Sequence, residues 1–150
     1  MALFFEFEAD FVNSLRCIPM QIRYKLDTCG IKLKLSDWLQ MTQDEREALL
    51  ELPCTTQTEV ETYKEYLQQL ILERTGTPVT QLPVEPYPTW MDSSNIPIIL
   101  QEKAQELGVN LTLEQWVALT PLQRFALIKL SRPSHENKNF PHAITEFHLL

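Results

Sequence analysis

The residues best suited to acid–base or nucleophilic chemistry are few in this 150-residue chain. All three histidines lie near the C-terminus, at His135, His142 and His148. The three cysteines are Cys17, Cys29 and Cys54. A cysteine and a histidine brought together by the fold could form a nucleophile–base pair, but isolated cysteines are more often small buried hydrophobic residues. We therefore predict no catalytic residues.

The sequence also lacks the spacings that mark metal and cofactor sites. His135 and His142 would share one helix face, but Pro141 between them disfavours a single helix. The three cysteines are widely spaced, and their spacing matches no iron–sulfur pattern. The chain contains no P-loop, no G-x-G-x-x-G, no G-x-S-x-G and no H-E-x-x-H motif. We predict neither a metal nor a cofactor.

The composition indicates a soluble protein with a hydrophobic core. Apolar residues make up 44% of the chain, and the net charge of −7 disfavours binding to nucleic acid or to an anionic membrane. The apolar runs are far shorter than the ~20 residues of a membrane-spanning helix. Glu6 and Glu8 interrupt the apolar N-terminus, which is not typical of a secretory signal. An odd number of cysteines without a CxxC motif favours the reducing cytoplasm.

The elements that would position any site form two copies of one helical unit. When the sequence is shifted along itself, residues 18–53 align with residues 96–131 without a gap, and 12 of 36 positions are identical. The identical pairs include Gly30/Gly108, Trp38/Trp116 and Arg46/Arg124. A repeat of this kind indicates one structural unit that is used twice.

Each copy carries the start and stop signals of helices. A proline near the start and a glycine near the end bound the first helix, at Pro19 and Gly30 and again at Pro97 and Gly108. Thr42 and Thr120 begin capping boxes. After the first copy, a longer helix is predicted from the apolar stripe of Val60, Tyr63, Leu67, Leu70 and Ile71. A shorter helical pattern follows the second copy, and we predict an all-α fold.

We predict a single domain over residues 1–150, with repeat one at about 18–75 and repeat two at about 96–150. Between them, residues 76–95 contain four prolines and are predicted to be an extended connector, neither strand nor helix. The alternating apolar residues at 31, 33 and 35 fit a short strand, but a connection pinned to the core at alternate residues is the preferred interpretation.

A basic stretch is the first candidate for contact with a partner. Residues 16–34 carry five cations and one acid, whereas residues 44–65 carry seven acids and two cations. Arg23 and Lys25 lie in the basic stretch and are candidate contacts with an acidic partner. The alternative is a solvated face that pairs with the acidic helices of the same chain.

An apolar helix face in the second copy is another candidate. Leu122 and Phe125 stand where the first copy has Asp44 and Glu47. Residues three apart share one helix face, so the second copy is apolar where the first is polar. This face either packs inside the chain or docks another protein.

The polar tail after the second copy is the third candidate. It offers cations, adaptable hydrogen-bonding groups and one apolar anchor, namely Arg132, His135, Asn137, Lys138 and Phe140. This mixture is typical of an interface centre with a polar rim. The alternative is that the tail caps the preceding helix and returns the chain to the core.

Four segments of the chain carry a resemblance to a known family: FFEFEADFVNSLRCIPM, YKLDTCGIKLKL, YLQQLILERTG and LTLEQWVALTPLQRFALIKLSRPSHENKNF. They are similar to the cyanobacterial nitrate reductase-associated protein family, from about residue 4 to the end of the chain. That family is typically encoded beside nitrate reductase and molybdopterin-biosynthesis genes, and it brings no established active site.

The resemblance implies an accessory protein that binds the catalytic subunit of a molybdenum-containing nitrate reductase and is needed for its activity, as maturation factor or small subunit. One alternative is a small enzyme of molybdopterin cofactor maturation, which would need His135 or His142 beside a cysteine or carboxylate. A further alternative is a nucleic-acid-binding regulator, with Arg124, Lys129 and Arg132 on a recognition helix.

Overall fold

The computed structural model describes residues 4–9, 15–133 and 135–149. It is mostly helical, with 60% helix and 3% strand, so the predicted all-α class is confirmed. The chain forms two compact units, Met1–Glu85 and Pro86–Leu150, and each is described by itself. The boundary between them falls inside the predicted connector. The division into one domain with two superposable repeats stays a prediction.

The first unit contains four α-helices and two very short strands within its described residues. In chain order they are α1 (Met20–Cys29), β1 (Ile31–Lys32), α2 (Leu35–Leu39), α3 (Gln43–Glu51), α4 (Gln57–Thr75) and β2 (Thr80–Gln81). The apolar stripe predicted for the longest helix is buried at Tyr63, Leu67, Leu70 and Ile71. These side chains join a hydrophobic core with α1 and α3, which contribute Ile22, Leu26, Leu49 and Leu50.

Local capping signals fix the helix ends in this unit. The Thr42 and Thr56 hydroxyls accept hydrogen bonds from the backbone N–H groups of Glu45 and Glu59. In return, the threonine backbone N–H groups donate to the carboxylates of these two glutamates. Gly30 ends α1 with a φ of 76°, a left-handed conformation that favours glycine. A Cβ atom at Gly30 would also lie 2.7 Å from the Leu82 carbonyl oxygen, so the chain passes too close for any side chain.

The strands β1 and β2 pair in antiparallel register, with Ile31 opposite Gln81 and Lys32 opposite Thr80. The expectation that the apolar alternation after Gly30 is only a pinned connection is therefore wrong at these two residues. The predicted absence of strand and helix from the connector is wrong as well, because it contains β2 and a 3-10 helix at Thr89–Met91. The glycine brings the two segments together, since Leu82 N–H donates to the Gly30 carbonyl at 2.8 Å.

The second unit contains four α-helices and two 3-10 helices within its described residues. After the 3-10 helix at Thr89–Met91 come α5 (Ile98–Glu106), α6 (Leu113–Ala118), α7 (Pro121–Ser131), a 3-10 helix at His135–Asn139 and α8 (Phe140–Glu146). Pro121 occupies the first turn of α7 behind the Thr120 cap, as predicted. The buried side chains include Leu100, Trp116, Phe125, Leu127, Leu130, Phe140 and Ile144.

A buried tryptophan held by an arginine occurs in the first unit. The Trp38 side chain is fully buried, and its indole N–H donates to the Leu15 carbonyl at 2.9 Å. Arg46 lies over the ring, with its guanidinium 5.6 Å from the ring centroid. Arg46 Nε donates to the Trp38 carbonyl at 3.2 Å, and Nη1 donates to the Leu15 carbonyl at 3.1 Å. One arginine thus fastens helix α3 to α2 and to the segment before α1.

The second unit builds the same arrangement from the equivalent residues of the second copy. The Trp116 indole N–H donates to the Asp92 carbonyl at 2.9 Å, and the Arg124 guanidinium lies 5.8 Å from the Trp116 ring centroid. Arg124 Nε donates to the Trp90 carbonyl at 2.9 Å, and Nη1 donates to the Trp116 carbonyl at 3.3 Å. The identity of tryptophan and arginine in both copies therefore has a packing cause.

Truncation of either buried tryptophan should destabilise the protein. We expect Trp38→Ala and Trp116→Ala each to lower the free energy of unfolding by about 3–5 kcal/mol, because each change leaves a cavity and removes a hydrogen bond to a backbone carbonyl. Urea titration followed by circular dichroism measures the loss. The control is Val117→Ala, an exposed position next to Trp116, for which we expect a change below about 0.5 kcal/mol. A cost at a tryptophan no larger than at the control would contradict this role.

Candidate partner-binding surface

The tail after α7 is tied to the second unit by one of its predicted contact residues. Asn137 Nδ2 donates to the Leu130 carbonyl at 2.9 Å and to the Arg132 carbonyl at 3.1 Å. These carbonyls belong to the end of α7, where the last turn of a helix leaves acceptors unpaired. Phe140 is fully buried. The tail therefore caps α7 and returns the chain to the core, which was the alternative interpretation.

Phe140 was predicted to be an apolar anchor for a partner, and the structure contradicts that role because none of its side chain is exposed. Asn137 is already committed to backbone carbonyls. The side chain of His135 lies outside the described residues. Among the tail side chains that the structure describes, Arg132 and Lys138 are exposed and present charge to solvent.

The apolar face of α7 is mostly interior. Phe125 is fully buried and packs edge-to-face on Trp90, with ring centroids 5.0 Å apart. The prediction that Phe125 docks a partner is therefore wrong, because Trp90 covers it. Glu47, at the corresponding position of the first copy, is exposed. Leu122 is only partly buried and still borders the surface beside this covered face.

Of the two candidate contacts in the basic stretch, Arg23 and Lys25, the structure contradicts Lys25. Lys25 is buried, and its ammonium donates to the Leu50 and Leu52 carbonyls at 2.7 and 2.6 Å. It also lies 5.6 Å from the Tyr63 ring centroid. Burial lowers the pKa of Lys25. Lys25 thus caps the end of α3 and cannot meet a partner, whereas Arg23 is partly exposed.

Arg124, the first cation of the proposed recognition helix, is not available to contact nucleic acid. Arg124 is buried, and its guanidinium is occupied by the Trp90 and Trp116 carbonyls. Lys129 lies over the Phe125 ring, with its ammonium 5.2 Å from the centroid. A helix that reads DNA needs several side chains free to reach phosphates and base edges. Of the three cations proposed for the recognition helix, only Arg132 is exposed, and it lies in the tail after α7.

The first unit also has a cleft that the sequence did not predict. It has a volume of about 340 Å³ and lies between the C-terminal half of α4 and the segment around β2. Its lining consists of Glu65, Gln68, Gln69, Leu72, Pro78, Val79 and Gln81. The lining combines one carboxylate, that of Glu65, with amide and aliphatic side chains, which suit hydrogen bonding and packing.

Two of the three cysteines are held as neutral thiols. Burial raises the pKa of Cys29 to about 12 and the pKa of Cys54 to about 11. Cys17 is only partly buried. The thiolate is the reactive form of cysteine, so burial makes Cys29 and Cys54 poor nucleophiles at neutral pH. Among the described residues, no group of three His, Cys, Asp or Glu side chains could hold a metal ion.

The buried thiols predict a loss of stability at alkaline pH. Unfolded thiols ionise near pH 8.5, whereas the folded thiols keep their protons up to about pH 11–12. The free energy of unfolding should therefore fall as pH rises through this range. We expect Cys29→Ala/Cys54→Ala to reduce the fall and Cys17→Ala to leave it unchanged, as measured by urea titration at a series of pH values. Identical slopes in all three proteins would contradict the burial argument.

Comparisons with known proteins place the chain in one family. No curated protein and no solved structure matches the chain. No helix among the described residues has the length and apolar character that crossing a membrane requires. A family model described as conserved nitrate reductase-associated protein matches residues 4–147. With nearly its whole length matched, the chain belongs to the conserved nitrate reductase-associated protein family.

Proposed function

We propose that this protein is a non-catalytic accessory protein that binds the catalytic subunit of the molybdenum-containing nitrate reductase and is needed for its activity. The observation that carries the proposal is the family match over residues 4–147, because the family is named for its association with nitrate reductase. The protein would act in the cytoplasm during nitrate assimilation, as a maturation factor or as a small subunit. Its three free cysteines are compatible with a reducing compartment.

The placement of the polar side chains supports binding rather than catalysis. Arg46, Arg124 and Lys25 each donate to backbone carbonyls inside their own unit, so these cations are used to hold the fold. The thiols of Cys29 and Cys54 are neutral at physiological pH. Groups committed in this way cannot also transfer protons or attack a substrate.

The tail is the surface that we assign to the enzyme. Its two exposed cations, Arg132 and Lys138, follow a helix end that Asn137 holds in place, so they project from a fixed backbone. Leu122 adds partly exposed apolar surface from α7. A pair of cations beside apolar area suits an acidic patch on a partner protein, because opposite charges steer association and apolar burial retains the complex.

Charge reversal in the tail tests this assignment. We expect Arg132→Glu/Lys138→Glu to lower affinity for the nitrate reductase catalytic subunit at least about tenfold, because two attractive contacts become repulsive. The matched comparison is Lys32→Glu/Lys34→Glu, which changes the net charge equally at exposed cations of the basic stretch. We expect that variant to bind normally. Binding is measured by capture of purified catalytic subunit on immobilised accessory protein, after circular dichroism has shown equal helix content.

The two double variants also separate the candidate surfaces. Loss of binding only in the basic-stretch variant would move the contact to Lys32 and Lys34 and contradict the tail assignment. Retention of binding in both variants would contradict both surfaces. Failure of the unmodified protein to capture either cofactor-free or mature catalytic subunit would contradict the proposed function itself.

Pull-down from nitrate-grown cells distinguishes the two accessory roles. A small subunit should copurify with active enzyme in a fixed stoichiometry. A maturation factor should instead be recovered with the cofactor-free catalytic subunit and be absent from the mature enzyme. Recovery of neither form would contradict the proposal.

A further inference from the structure

The outer edge of strand β2 is open in the first unit. Among the described residues, β2 pairs with β1 alone, in a two-stranded sheet. Leu82 N–H donates to the Gly30 carbonyl, which makes Gly30 and Leu82 a hydrogen-bonded pair. Antiparallel pairs alternate, so the next pair, Ile31 and Gln81, is a non-hydrogen-bonded one. The backbone N–H and C=O of Gln81 therefore point away from β1.

The cleft beside α4 runs along this same strand. Val79 and Gln81 line it on one side, and Glu65, Gln68 and Leu72 of α4 line it on the other. Directly opposite residues of neighbouring strands point to the same face of a sheet. A third strand added at the outer edge of β2 would therefore direct every second side chain into the cleft, on the face that carries the Gln81 side chain.

The lining of the cleft selects the side chains of such a strand. Leu72 is 45% exposed and, with Pro78 and Val79, forms an apolar part of the lining. Glu65 is exposed, and neither lysine nor arginine lines the cleft. Within the described residues Glu65 has no ion-pair partner. Aliphatic side chains together with one cation complement this lining.

We propose that the outer edge of β2 and the cleft form a docking site for an extended, basic segment of a partner protein. The segment adds a third, antiparallel strand and exchanges two backbone hydrogen bonds with Gln81. Its aliphatic side chains pack on Leu72 and Val79, and its lysine or arginine faces Glu65. This site lies in the first unit, and the inference does not depend on the tail or on the association with nitrate reductase.

The described part of the chain offers no strand of its own for this edge. The strands found there are β1 and β2, in the first unit, and the described residues of the second unit contain helices but no strand. The segment that follows β2 carries Pro83, Pro86 and Pro88, and proline has no N–H to donate to a neighbouring strand. A helical partner would leave the outward groups of Gln81 unpaired, so an extended segment fits better.

The edge of β2 also lacks most of the features that discourage strand pairing. Charges, prolines and bulges protect many edge strands. Thr80 and Gln81 carry neither charge nor proline, and their register with β1 is regular. The short length of β2 limits the backbone contact to the outward groups of Gln81. We therefore expect weak binding, with a dissociation constant on the order of 10–100 µM.

A synthetic peptide tests the strand pairing from the side of the ligand. The probe is Lys-Thr-Val-Thr-Val-Thr-Lys with both ends blocked, which has its lysines and valines on one face and reads the same in both directions. Fluorescence anisotropy with the full chain measures the dissociation constant. N-methylation of both valines should raise it at least about tenfold, because an antiparallel residue opposite Gln81 donates its own N–H. N-methylation of two threonines, whose N–H groups point away from β2, should change it less than about twofold.

Two substitutions at one position test the pairing from the side of the protein. Gln81→Ala and Gln81→Pro both remove the amide side chain, but only the proline also removes the outward N–H. We expect Gln81→Pro to raise the dissociation constant at least about tenfold and Gln81→Ala to raise it less than about threefold. Because β1 does not use this N–H, both variants should keep the helix content and melting temperature of the unmodified protein.

The carboxylate and the backbone contact have separate measurements. Glu65→Gln should raise the dissociation constant about 3–10-fold, and added salt should shrink the difference. The control is Glu47→Gln, which makes the same charge change at an exposed position outside the cleft and should leave the constant unchanged. Hydrogen exchange followed by NMR should show that saturating peptide slows the exchange of the Gln81 amide, because the amide gains an acceptor.

Four results would overturn the proposal. The first is the absence of saturable binding up to about 1 mM peptide. The second is equal weakening by the two N-methylated peptides, which would leave no role for strand pairing. The third is equal weakening by Gln81→Ala and Gln81→Pro, or an unchanged exchange rate of the Gln81 amide. The fourth is an equal effect of Glu65→Gln and Glu47→Gln, which would reduce recognition to net charge.

Discussion

The hydrogen bonds of Arg46 and Arg124 to backbone carbonyls are the constraint on which both units depend. A guanidinium next to a buried indole loses water, and the loss is tolerable only if its N–H groups find acceptors in the protein. In each unit these acceptors include the carbonyl of the tryptophan itself and a carbonyl from the segment that precedes the first helix. The arginine therefore sets where that segment runs and how the tryptophan helix meets the next helix.

This constraint explains why the two copies share tryptophan and arginine but differ in what surrounds them. In the second unit, the segment before the first helix supplies Trp90, which gives its carbonyl to Arg124 and its ring to Phe125. The position of Phe125 can therefore be apolar, whereas Glu47 in the first copy stays in solvent. A repeated framework thus accommodates different side chains wherever a neighbouring segment covers one copy only.

Local rules explain how much of the fold could be predicted from the sequence. Capping boxes at Thr42, Thr56 and Thr120 and the left-handed Gly30 fix helix ends through contacts within a few residues, so they are visible in sequence. The strand pair could not be anticipated in this way. It depends on the close approach of Leu82 to Gly30, which are far apart in the chain.

The candidate partner surface was less predictable, because exposure of a charged or aromatic side chain depends on tertiary contacts. The sequence suggests that Lys25 is a surface cation. It is buried instead, because two carbonyls at the end of α3 accept hydrogen bonds from its ammonium group. The sequence alone suggests that Phe140 is an anchor in a polar tail, yet it begins helix α8 and is fully buried. Arg132 and Lys138, by contrast, are exposed.

The buried and hydrogen-bonded residues of this protein are explained by folding alone. Burial and hydrogen bonding account for the tryptophans, the arginines, Lys25 and Asn137, and those residues need no partner to explain them. A repeat therefore provides its own internal comparison: residues that recur and are buried, or that recur as helix caps, serve the unit itself.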